Sequence, residues 1–496
     1  MIDLTAEKAE SEVIRSFKKL SVYEKAEKLQ QVKKSFMYNK KPSSQIIFNT
    51  SNTMVGSAIL VMPIYFLQTG ILASILSCAF VAAISLVTVN LIVDNYKHGE
   101  SDLPEQIERI MGLKWKTFFA ASSSLLLGFA TIAYFLLMAN LFYTALESVF
   151  EGLPAKDAGI IFGQFSYQWA GIILAIISFI MFNIKAMSVI LKINAYGIYA
   201  IGIYIIFMIY IGIEAMATGN LKFGSGDGGI VMFSGSISDL ITLLGIFALA
   251  FISHNILIPI IKYNVNFKNN KRDVGIAYVV TAMIYVMIGV FGSFGIGWRT
   301  ACFDGKTPAT VMDCLRDAEG FTFYFLMIAQ ALVLIQLTGV LPVLNFITRS
   351  QLFGIFYSEL DEIPQWKSRV WNTIIILLCV LFEVFNVKPG LLISLCGAVC
   401  GFLLVYVIPI AMHFKAVGQP RSNSQQNLLI EEVEENSESA TSVVNNGLNG
   451  KQETVVTGDT NFSKPEITLK QKVFYGVLLV YGFGIMISEL VNIALG

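Results

Sequence analysis

The chain has 496 residues, of which 55% are hydrophobic and only 14% are charged. A soluble protein carries about 25% charged residues, so this chain is short of the side chains that would cover a water-exposed surface. Its formal net charge of +0 gives no electrostatic reason to expect nucleic acid as a partner. These values exclude an ordinary soluble domain and predict an all-α integral membrane protein.

Eleven apolar segments are long enough to cross about 30 Å of hydrocarbon as helices. They are predicted at 44–69, 71–94, 115–147, 168–187, 192–217, 237–264, 273–298, 321–348, 368–388, 390–413 and 472–494. A tight turn at Lys388-Pro389-Gly390 separates the ninth from the tenth. The third is too long for a perpendicular span, so we expect it to tilt or to project from the bilayer.

The distribution of basic residues tests this count independently. With the N-terminus in the cytosol, only six of the 35 Lys and Arg residues fall on the outer side: Lys156, Lys222, Arg299, Lys306, Arg316 and Lys388. The positive-inside rule predicts such a bias. One span more or fewer would reverse the later loops, so the bias favours eleven spans with a cytosolic N-terminus.

Two polar segments flank the predicted transmembrane core at 44–414: a cytosolic tail at 1–43 and a cytosolic loop at 415–471, before the eleventh helix at 472–496. Residues 21–36 can form an amphipathic helix on the membrane surface or part of a solvated tail. The loop contains EEVEENSESATSVVNNGLNG, which cannot bury a core and is predicted to be disordered. A cytosolic regulatory partner of these tails stays open.

The six cysteines fall into two groups. Cys302 and Cys314 flank the loop after the seventh span, on the predicted outer side, and we expect a disulfide between them in an oxidising compartment. The other four lie within spans, where thiols pack as small apolar groups.

No motif indicates catalysis or a bound cofactor. The chain lacks the phosphate-binding GxxxxGK[ST], the metalloprotease HExxH, the nucleophile elbow and the kinase signature. We therefore predict neither an enzyme nor an ATP-driven pump. A channel is disfavoured because the spans carry no repeated pore-lining charge.

Polar residues interrupt the first span, in the stretch SNTMVGSAILVMP at 51–63. Asn52, Thr53 and Ser57 surround Gly56, and Pro63 follows. A broken helix survives in a membrane only where it is shielded and lines a cavity. Transporters use the free N–H groups of such breaks for an anionic group and the freed carbonyls for a cation. A Gly/Ser helix-packing face is the alternative.

The sixth span contains a similar interruption, in GIFALAFISHNILIPIIK at 245–262. Ser253, His254 and Asn255 lie in its middle, and Pro259 removes one backbone donor. Two interrupted spans five apart in order suit two five-helix repeats of opposite orientation. His254 is a candidate for proton transfer or gating, with a structural hydrogen bond as the alternative.

Polar residues also lie in other spans. Thr338 in the eighth can offer a hydroxyl to a sodium ion, with helix packing as the alternative. Glu383 and Glu489 lie near the outer ends of the ninth and eleventh, where a carboxylate can reach interfacial water, and we interpret both as structural. Tyr134 and Asn140 in the third can face a central cavity; for Tyr134, aromatic core packing is the alternative.

Three motifs carry a resemblance to a known family. SNTMVGSAIL at 51–60 resembles the first-helix signature S-N-x-x-V-G-S-G-I-L of the sodium-coupled neutral amino-acid transporters, members of the amino-acid/auxin permease superfamily. AFISHNILIPI at 250–260 and LPVLNFITRSQ at 341–351 are similar to its sixth and eighth helices. The resemblance covers about 44–414 in order and spacing. It implies the LeuT-like fold, with two inverted five-helix repeats and one extra helix, and cation-coupled amino-acid uptake.

The resemblance also implies a site. It assigns sodium to Asn52, Val55 and Thr338. It assigns the amino-acid substrate to the two broken spans: Thr53, Val55, Gly56 and Ser57 on the carboxylate side, and the backbone at Phe247, Ala250 and Phe251 on the amino side. Two departures qualify it, because Ala58 replaces the second Gly of the signature and Val340 stands where relatives carry a further Thr. The methyl of Ala58 can limit substrate size, and Val340 leaves proton coupling or facilitated exchange open.

The sequence thus predicts a secondary active transporter of neutral amino acids, coupled to a sodium or proton gradient by alternating access. It predicts no cofactor beyond the coupling ion, and the lipid bilayer as its environment. The alternative is an amino-acid-sensing receptor with little flux, which would signal through the tails. The NTM form at 52–54 is similar to a lysosomal branch of the superfamily, so both the plasma membrane and the membrane of a lysosome or vacuole are expected locations.

Overall fold

The structure is a computed structural model, which describes residues 41–97, 100, 102–150, 152–161, 163–184, 187–221, 223–224, 229–234, 236–299, 308, 310–357, 364–418 and 467–495. Most of the predicted tail 1–43 and loop 415–471 lies outside these residues, as does Cys302. Within them the regular structure is helical, apart from isolated β-bridges between Lys41 and Asn264 and between Phe223 and Ile230. The all-α prediction is confirmed.

The α-helices of the described residues follow the predicted spans closely. In chain order they are α1 (Ser43–Met54), α2 (Met62–Thr69), α3 (Ile71–Asn95), α4 (Leu103–Met111), α5 (Leu113–Glu147), α6 (Tyr167–Phe182), α7 (Met187–Ala217), α8 (Ile237–Ala250), α9 (Leu257–Ile261), α10 (Asn270–Ile296), α11 (Gly320–Phe353), α12 (Gln365–Val384), α13 (Pro389–Gly401), α14 (Ile408–Gly418) and α15 (Leu469–Leu495). A π-helical segment, Phe402–Val407, joins α13 to α14.

Seven helical segments within the described residues are long and apolar enough to cross a membrane, judged by length and composition. Two shorter apolar helices, α6 and α8, add to these. The half-helices of a broken span, such as α1 and α2, are each too short to cross a membrane alone. The structure therefore supports a multi-pass protein, and the count of eleven spans stays a prediction.

Both predicted interruptions are present in the structure. α1 ends at Met54 and α2 begins at Met62, with a short 3₁₀ turn, Ser57–Leu60, between them. α8 ends at Ala250 and α9 begins at Leu257. Pro63 lies in the first turn of α2, where a missing N–H costs nothing. The first and sixth spans are thus pairs of half-helices.

Two helices differ from the predicted spans, and the length of a third agrees with its prediction. The predicted loop 95–114 contains the amphipathic helix α4, which is too short and too polar to resemble a membrane span in the sequence. Helix α7 begins at Met187, before the predicted start at 192. Lys192 interrupts the apolar run in the sequence, but the helix extends on its N-terminal side as well. Helix α5 has 35 residues and is about 52 Å long, which confirms that it exceeds a perpendicular span.

The helices pack so that the broken spans lie inside. α5 packs against α11 and α13, and α10 packs against α7, α1 and α2. α8 packs against α13 and α3, so each broken span is enclosed by unbroken helices. The last helix, α15, lies on the outside of α8 and α13. The breaks are therefore shielded from lipid, as buried polar backbone requires.

Candidate functional site

The break in the first span leaves backbone N–H groups without an acceptor among the described residues. The N–H of Val55 donates to the carbonyl of Ser51 (2.9 Å), and that of Ser57 donates to the hydroxyl of Tyr134 (3.1 Å). The N–H groups of Gly56 and Ala58 make no hydrogen bond within the described residues. Buried N–H groups are rarely left unpaired, so these two amides are where an acceptor from a ligand fits.

The approach of α5 leaves little room for a side chain at Gly56. A Cβ there would lie 2.7 Å from the hydroxyl oxygen of Tyr134, closer than real side chains come. Tyr134 therefore faces the break rather than packing only as an aromatic core residue.

The break in the sixth span frees carbonyl groups. The hydroxyl of Tyr285 donates towards the carbonyl of Ala250 (3.1 Å), and that of Tyr278 donates towards the carbonyl of Phe251 (3.1 Å). Both tyrosines are on α10, and both are buried. The side chains of Phe247 and Phe251 are also buried, with ring centroids 6.3 Å apart, and make the apolar wall of this break.

Tyr285 joins the two breaks. Its hydroxyl also lies 2.6 Å from the carbonyl oxygen of Met54, the last residue of α1. The two carbonyls, Met54 O and Ala250 O, thus share one donor although they lie far apart in the sequence. The structure brings together the two segments that the sequence predicts to hold the substrate.

Tyr285→Phe should weaken this junction. The change leaves both carbonyls without their shared donor in an apolar interior, and we expect it to lower the free energy of unfolding by about 1–2 kcal/mol. Amino-acid uptake should fall in the same variant, because the relative position of the half-helices is no longer fixed. Thermal unfolding and uptake in proteoliposomes measure the two effects.

Tyr204→Phe is the matched control. Tyr204 is equally buried, and its hydroxyl donates to one carbonyl, that of Ile59 (3.2 Å), without joining two breaks. We expect it to keep most of the uptake. If the two variants lose uptake equally, Tyr285 has no special part in joining the breaks.

The side chains of the predicted sodium ligands Asn52 and Thr338 lie on different helices, α1 and α11. Asn52 and Thr53 are exposed, and the hydroxyl of Thr53 donates to the carbonyl of Thr50 on its own helix (2.7 Å). Thr338 is half-buried on α11, and its hydroxyl donates to Leu334 O (2.7 Å). Among the described residues no hydrogen bond connects Asn52 with Thr338, because α1 packs against α9 and α10 instead of α11. The sodium site stays a prediction.

His254 is fully buried in the connection between α8 and α9. Its Nε2 lies 3.0 Å from the hydroxyl of Thr88 on α3, and its Nδ1 has no partner within the described residues. The neighbouring Ser253 pairs with Tyr278 (3.0 Å). His254 therefore ties the sixth span to α3, and a part in proton transfer or gating stays a prediction.

A network of hydrogen bonds and an ion pair lies at the predicted outer end. The ammonium of Lys156 contacts Asp313 Oδ1 (2.6 Å), Asn140 Oδ1 (2.7 Å) and the Thr144 hydroxyl (2.6 Å). It thereby joins the loop after α5 to the 3₁₀ turn after α10, Val311–Leu315. Asn140 lies in this network, and the expectation that it faces a central cavity stays a prediction. Sequence reasoning missed Lys156 and Asp313, whose spacing gives no signal.

A second network lies at the predicted inner end. The N–H of Lys41 donates to the carbonyl of Tyr263 (2.7 Å), and the carbonyl of Lys41 accepts from Val265 (3.0 Å). The buried carboxylate of Asp273 accepts from Asn264 (2.9 Å). The start of the first span is thus held against the end of the sixth.

The two membrane glutamates and the cysteines complete the set of residues singled out in the sequence. Glu383 and Glu489 are fully buried within the protein, so the expectation that they reach interfacial water is wrong. Helix α6 covers Glu383, and helix α13 covers Glu489. Hydropathy does not reveal such contacts between helices. Cys314 is buried, and its predicted partner Cys302 lies outside the described residues, so their disulfide stays a prediction. Cys78, Cys379, Cys396 and Cys400 are buried thiols, as predicted.

A solved structure shares the architecture of this chain. The crystal structure of MhsT in complex with L-phenylalanine matches with a TM-score of 0.52 and 12% sequence identity, over 90% of this chain and 97% of that one. MhsT is a LeuT-fold transporter. The predicted LeuT-like fold is confirmed.

Curated relatives are amino-acid transporters by name. The zebrafish (Danio rerio) neutral amino acid transporter 9 is 23% identical over 75% of either chain. The Caenorhabditis elegans sodium-coupled neutral amino acid transporter 9 homolog is 22% identical over 76% of this chain and 68% of its own. The rat (Rattus norvegicus) neutral amino acid transporter 9 is 31% identical over a shorter stretch, 34% of this chain and 29% of its own.

A family model described as "Transmembrane amino acid transporter protein" matches residues 43–433. This range contains both broken spans and the residues that join them. Its relatives are named as transporters, which confirms the prediction that the chain is not an enzyme. The chain belongs to the transmembrane amino acid transporter family.

Proposed function

We propose that the chain is a secondary active transporter of neutral amino acids, coupled to a sodium or proton gradient, and that it works by alternating access. The observation that carries this proposal is the junction of the two broken spans through Tyr285. This junction supports a site in which N–H groups of the first break and carbonyl groups of the sixth act on one ligand. An amino acid offers a carboxylate to the former and an ammonium to the latter.

The carboxylate would bind the N–H groups of Gly56 and Ala58, which have no partner within the described residues. This refines the site expected from the sequence, since the N–H groups of Val55 and Ser57 are already used. The methyl of Ala58 and the rings of Phe247 and Phe251 make the surroundings apolar. An uncharged side chain fits such surroundings better than a charged one.

Two end networks support alternating access, because each holds together elements that would have to part when that end opens. Lys156 and Asp313 hold the predicted outer end, and the hydrogen bonds between Lys41 and Tyr263 hold the predicted inner end. In this state Asn52 and Thr53 are exposed. In the opposite state α1 would approach α11 and bring Asn52 near Thr338. A sodium ion would then bind between them, as the name of the nematode relative suggests by analogy.

Asn52→Ala should raise the sodium concentration needed for half-maximal uptake about tenfold, because one oxygen ligand to a cation contributes more than 1 kcal/mol. Uptake of labelled neutral amino acids into proteoliposomes at varied sodium, with lithium and proton gradients imposed separately, measures it. Asn49→Ala, on the same helix α1, is the matched control and should leave the sodium dependence unchanged. A normal sodium dependence in Asn52→Ala removes Asn52 from the site.

The same flux assay separates a transporter from a receptor. A transporter accumulates the labelled amino acid against its gradient when the coupling ion is supplied. Binding without accumulation would contradict the proposal and favour the receptor that the sequence leaves open.

We propose further that the N-terminus is cytosolic, that the protein lies in the plasma membrane or in a lysosomal or vacuolar membrane, and that Cys302 and Cys314 form a disulfide. We also propose that the transmembrane core extends from 44 to 414, that 415–471 is a cytosolic loop, and that a regulatory partner binds the tails. Accessibility of introduced single cysteines to a membrane-impermeant reagent tests the orientation.

A further inference from the structure

The extra helix α15 brings a carboxyl group into the protein interior. Glu489 is fully buried, and its Oε1 lies 2.7 Å from the hydroxyl of Ser394 on α13. The same hydroxyl lies 3.0 Å from the carbonyl oxygen of Thr242 on α8. A carboxyl group on the eleventh span thus meets the tenth and the sixth at one point.

The protons available at this point determine its chemistry. The Ser394 hydroxyl carries one proton, and the carbonyl of Thr242 can only accept. Both contacts are hydrogen bonds at once only if Ser394 donates to Thr242 O and Glu489 donates to Ser394. That second bond requires Glu489 to carry a proton on its carboxyl group.

The remaining oxygen of Glu489 supports the same state. Its Oε2 is buried and has no hydrogen-bond partner within the described residues. The hydroxyl of Thr242 lies close to the carboxyl, but it donates to Ser238 O on its own helix (3.2 Å). A buried carboxylate with an unpaired oxygen is costly, whereas a neutral carboxyl group is not.

The charged and titratable groups around Glu489 provide no cation in contact with it. Within the described residues no ion pair includes Glu489, and Lys388, at the N-cap of α13, has an interaction of its own. The titratable groups on the elements that contact α15 are Asp239 on α8, Cys396 and Cys400 on α13, Tyr406 on the π segment, His413 and Lys415 on α14, and Cys78 and Asp94 on α3. Tyr65 on α2 is a further titratable group near this end of α15. Of these groups, Tyr65 lies within electrostatic reach of both Glu489 and Asp239.

The position of Glu489 links its protonation to the contact between the outer half-helices and α13. Thr242 belongs to the outer half of the sixth span, and Tyr65 to the outer half of the first. Asn492, one turn after Glu489, extends the contact by accepting from Ser238 (2.7 Å). Movement of α2 and α8 away from α13 would break the Ser394–Thr242 bond and admit water to the carboxyl group.

We propose that Glu489 is a proton-binding site that couples α15 to the movement of the outer half-helices α2 and α8. The proton enters from the predicted outer side and converts the carboxylate to a neutral acid. The acid then donates to Ser394, and this closes the contact between α8 and α13. The proposal rests on the proposed transport function for its coupling, but proton binding itself does not depend on it.

Infrared difference spectroscopy on the full-length protein in liposomes tests proton binding directly. Upon pH titration, the carbonyl stretch of a protonated carboxyl group should appear in the wild type and lose a component in Glu489→Gln. Ser394→Ala should retain this component and shift its frequency, because the hydrogen-bond acceptor is gone. An unchanged band in Glu489→Gln would overturn the proposal, and Ser394→Ala decides the question if Glu489→Gln fails to fold.

Uptake of an equimolar mixture of labelled amino acids, under pH gradients of either sign, tests coupling. Glu489→Gln should keep exchange of amino acids across the membrane but lose the response to the gradient. Glu383→Gln, a change at another fully buried carboxyl group, is the matched control and should keep the response. A wild-type gradient response in Glu489→Gln would refute coupling. Absence of uptake in the wild type would refute the proposed function, while the infrared titration still decides the proton site.

Discussion

Gly397→Ala is expected to prevent stable folding and to abolish uptake. A Cβ at Gly397 would lie 2.0 Å from the carbonyl oxygen of Gly245, where α13 meets α8. The obstacle is backbone, so no side-chain rotation relieves the overlap and the two helices must separate. Overpacking of this kind costs about 3 kcal/mol or more, a large part of a total stability of about 5–15 kcal/mol. Thermal unfolding and proteoliposome uptake measure the loss.

Gly401→Ala is its matched control. Gly401 lies one turn further along α13, and its new Cβ would lie 3.6 Å from the Cβ of Ala248, an ordinary van der Waals distance. Both changes replace a helical Gly by Ala and raise helix propensity by about 1 kcal/mol, so the difference between them isolates the packing. Equal stability of the two variants would show that α8 and α13 do not approach each other as closely as the structure has them.

The positions of both breaks could be predicted from the sequence because they violate local rules. Gly56 and Pro63 in the first span, and Pro259 in the sixth, are residues that a continuous membrane helix avoids. Such signals are local, so they are visible without knowledge of the packing. The same holds for the tight turn before Pro389 and for the length of α5.

The partners of the breaks could not be predicted, because they depend on helix rotation. Tyr285 looks like any aromatic residue of an apolar span, and its contact with Met54 joins residues separated by 231 positions. Glu489 was placed correctly along its helix but on the wrong kind of surface, since hydropathy gives the depth of a residue and not the face it occupies. For the same reason, only the structure distinguishes Gly397 from Gly401.

Lys156→Met is expected to lower the free energy of unfolding by about 3 kcal/mol at neutral pH, because it leaves the Asp313 carboxylate buried without its ammonium. Lys116→Met is the matched control. The Lys116–Glu108 pair has the same nitrogen–oxygen distance, 2.6 Å, but its side chains are 35% and 44% exposed, against 21% and 13% for Lys156 and Asp313. An exposed pair contributes about 1 kcal/mol or less. Equal losses of unfolding free energy in the two variants would contradict a stabilising buried Lys156–Asp313 pair at the outer end.

The pH dependence of Lys156→Met should run opposite to that of the wild type. Burial alone would raise the pKa of Asp313, but the ammonium of Lys156 and hydrogen bonds from Thr310 and Thr144 outweigh it and hold the pKa below its ordinary value. The pair therefore stabilises the wild type above about pH 4, and this contribution is lost as the pH falls further. Without the ammonium the carboxyl group takes up a proton on mild acidification, so the variant should regain stability between about pH 7 and pH 5. Asp313→Asn added to Lys156→Met should remove that gain, and a double variant that keeps it would assign the titration to another group.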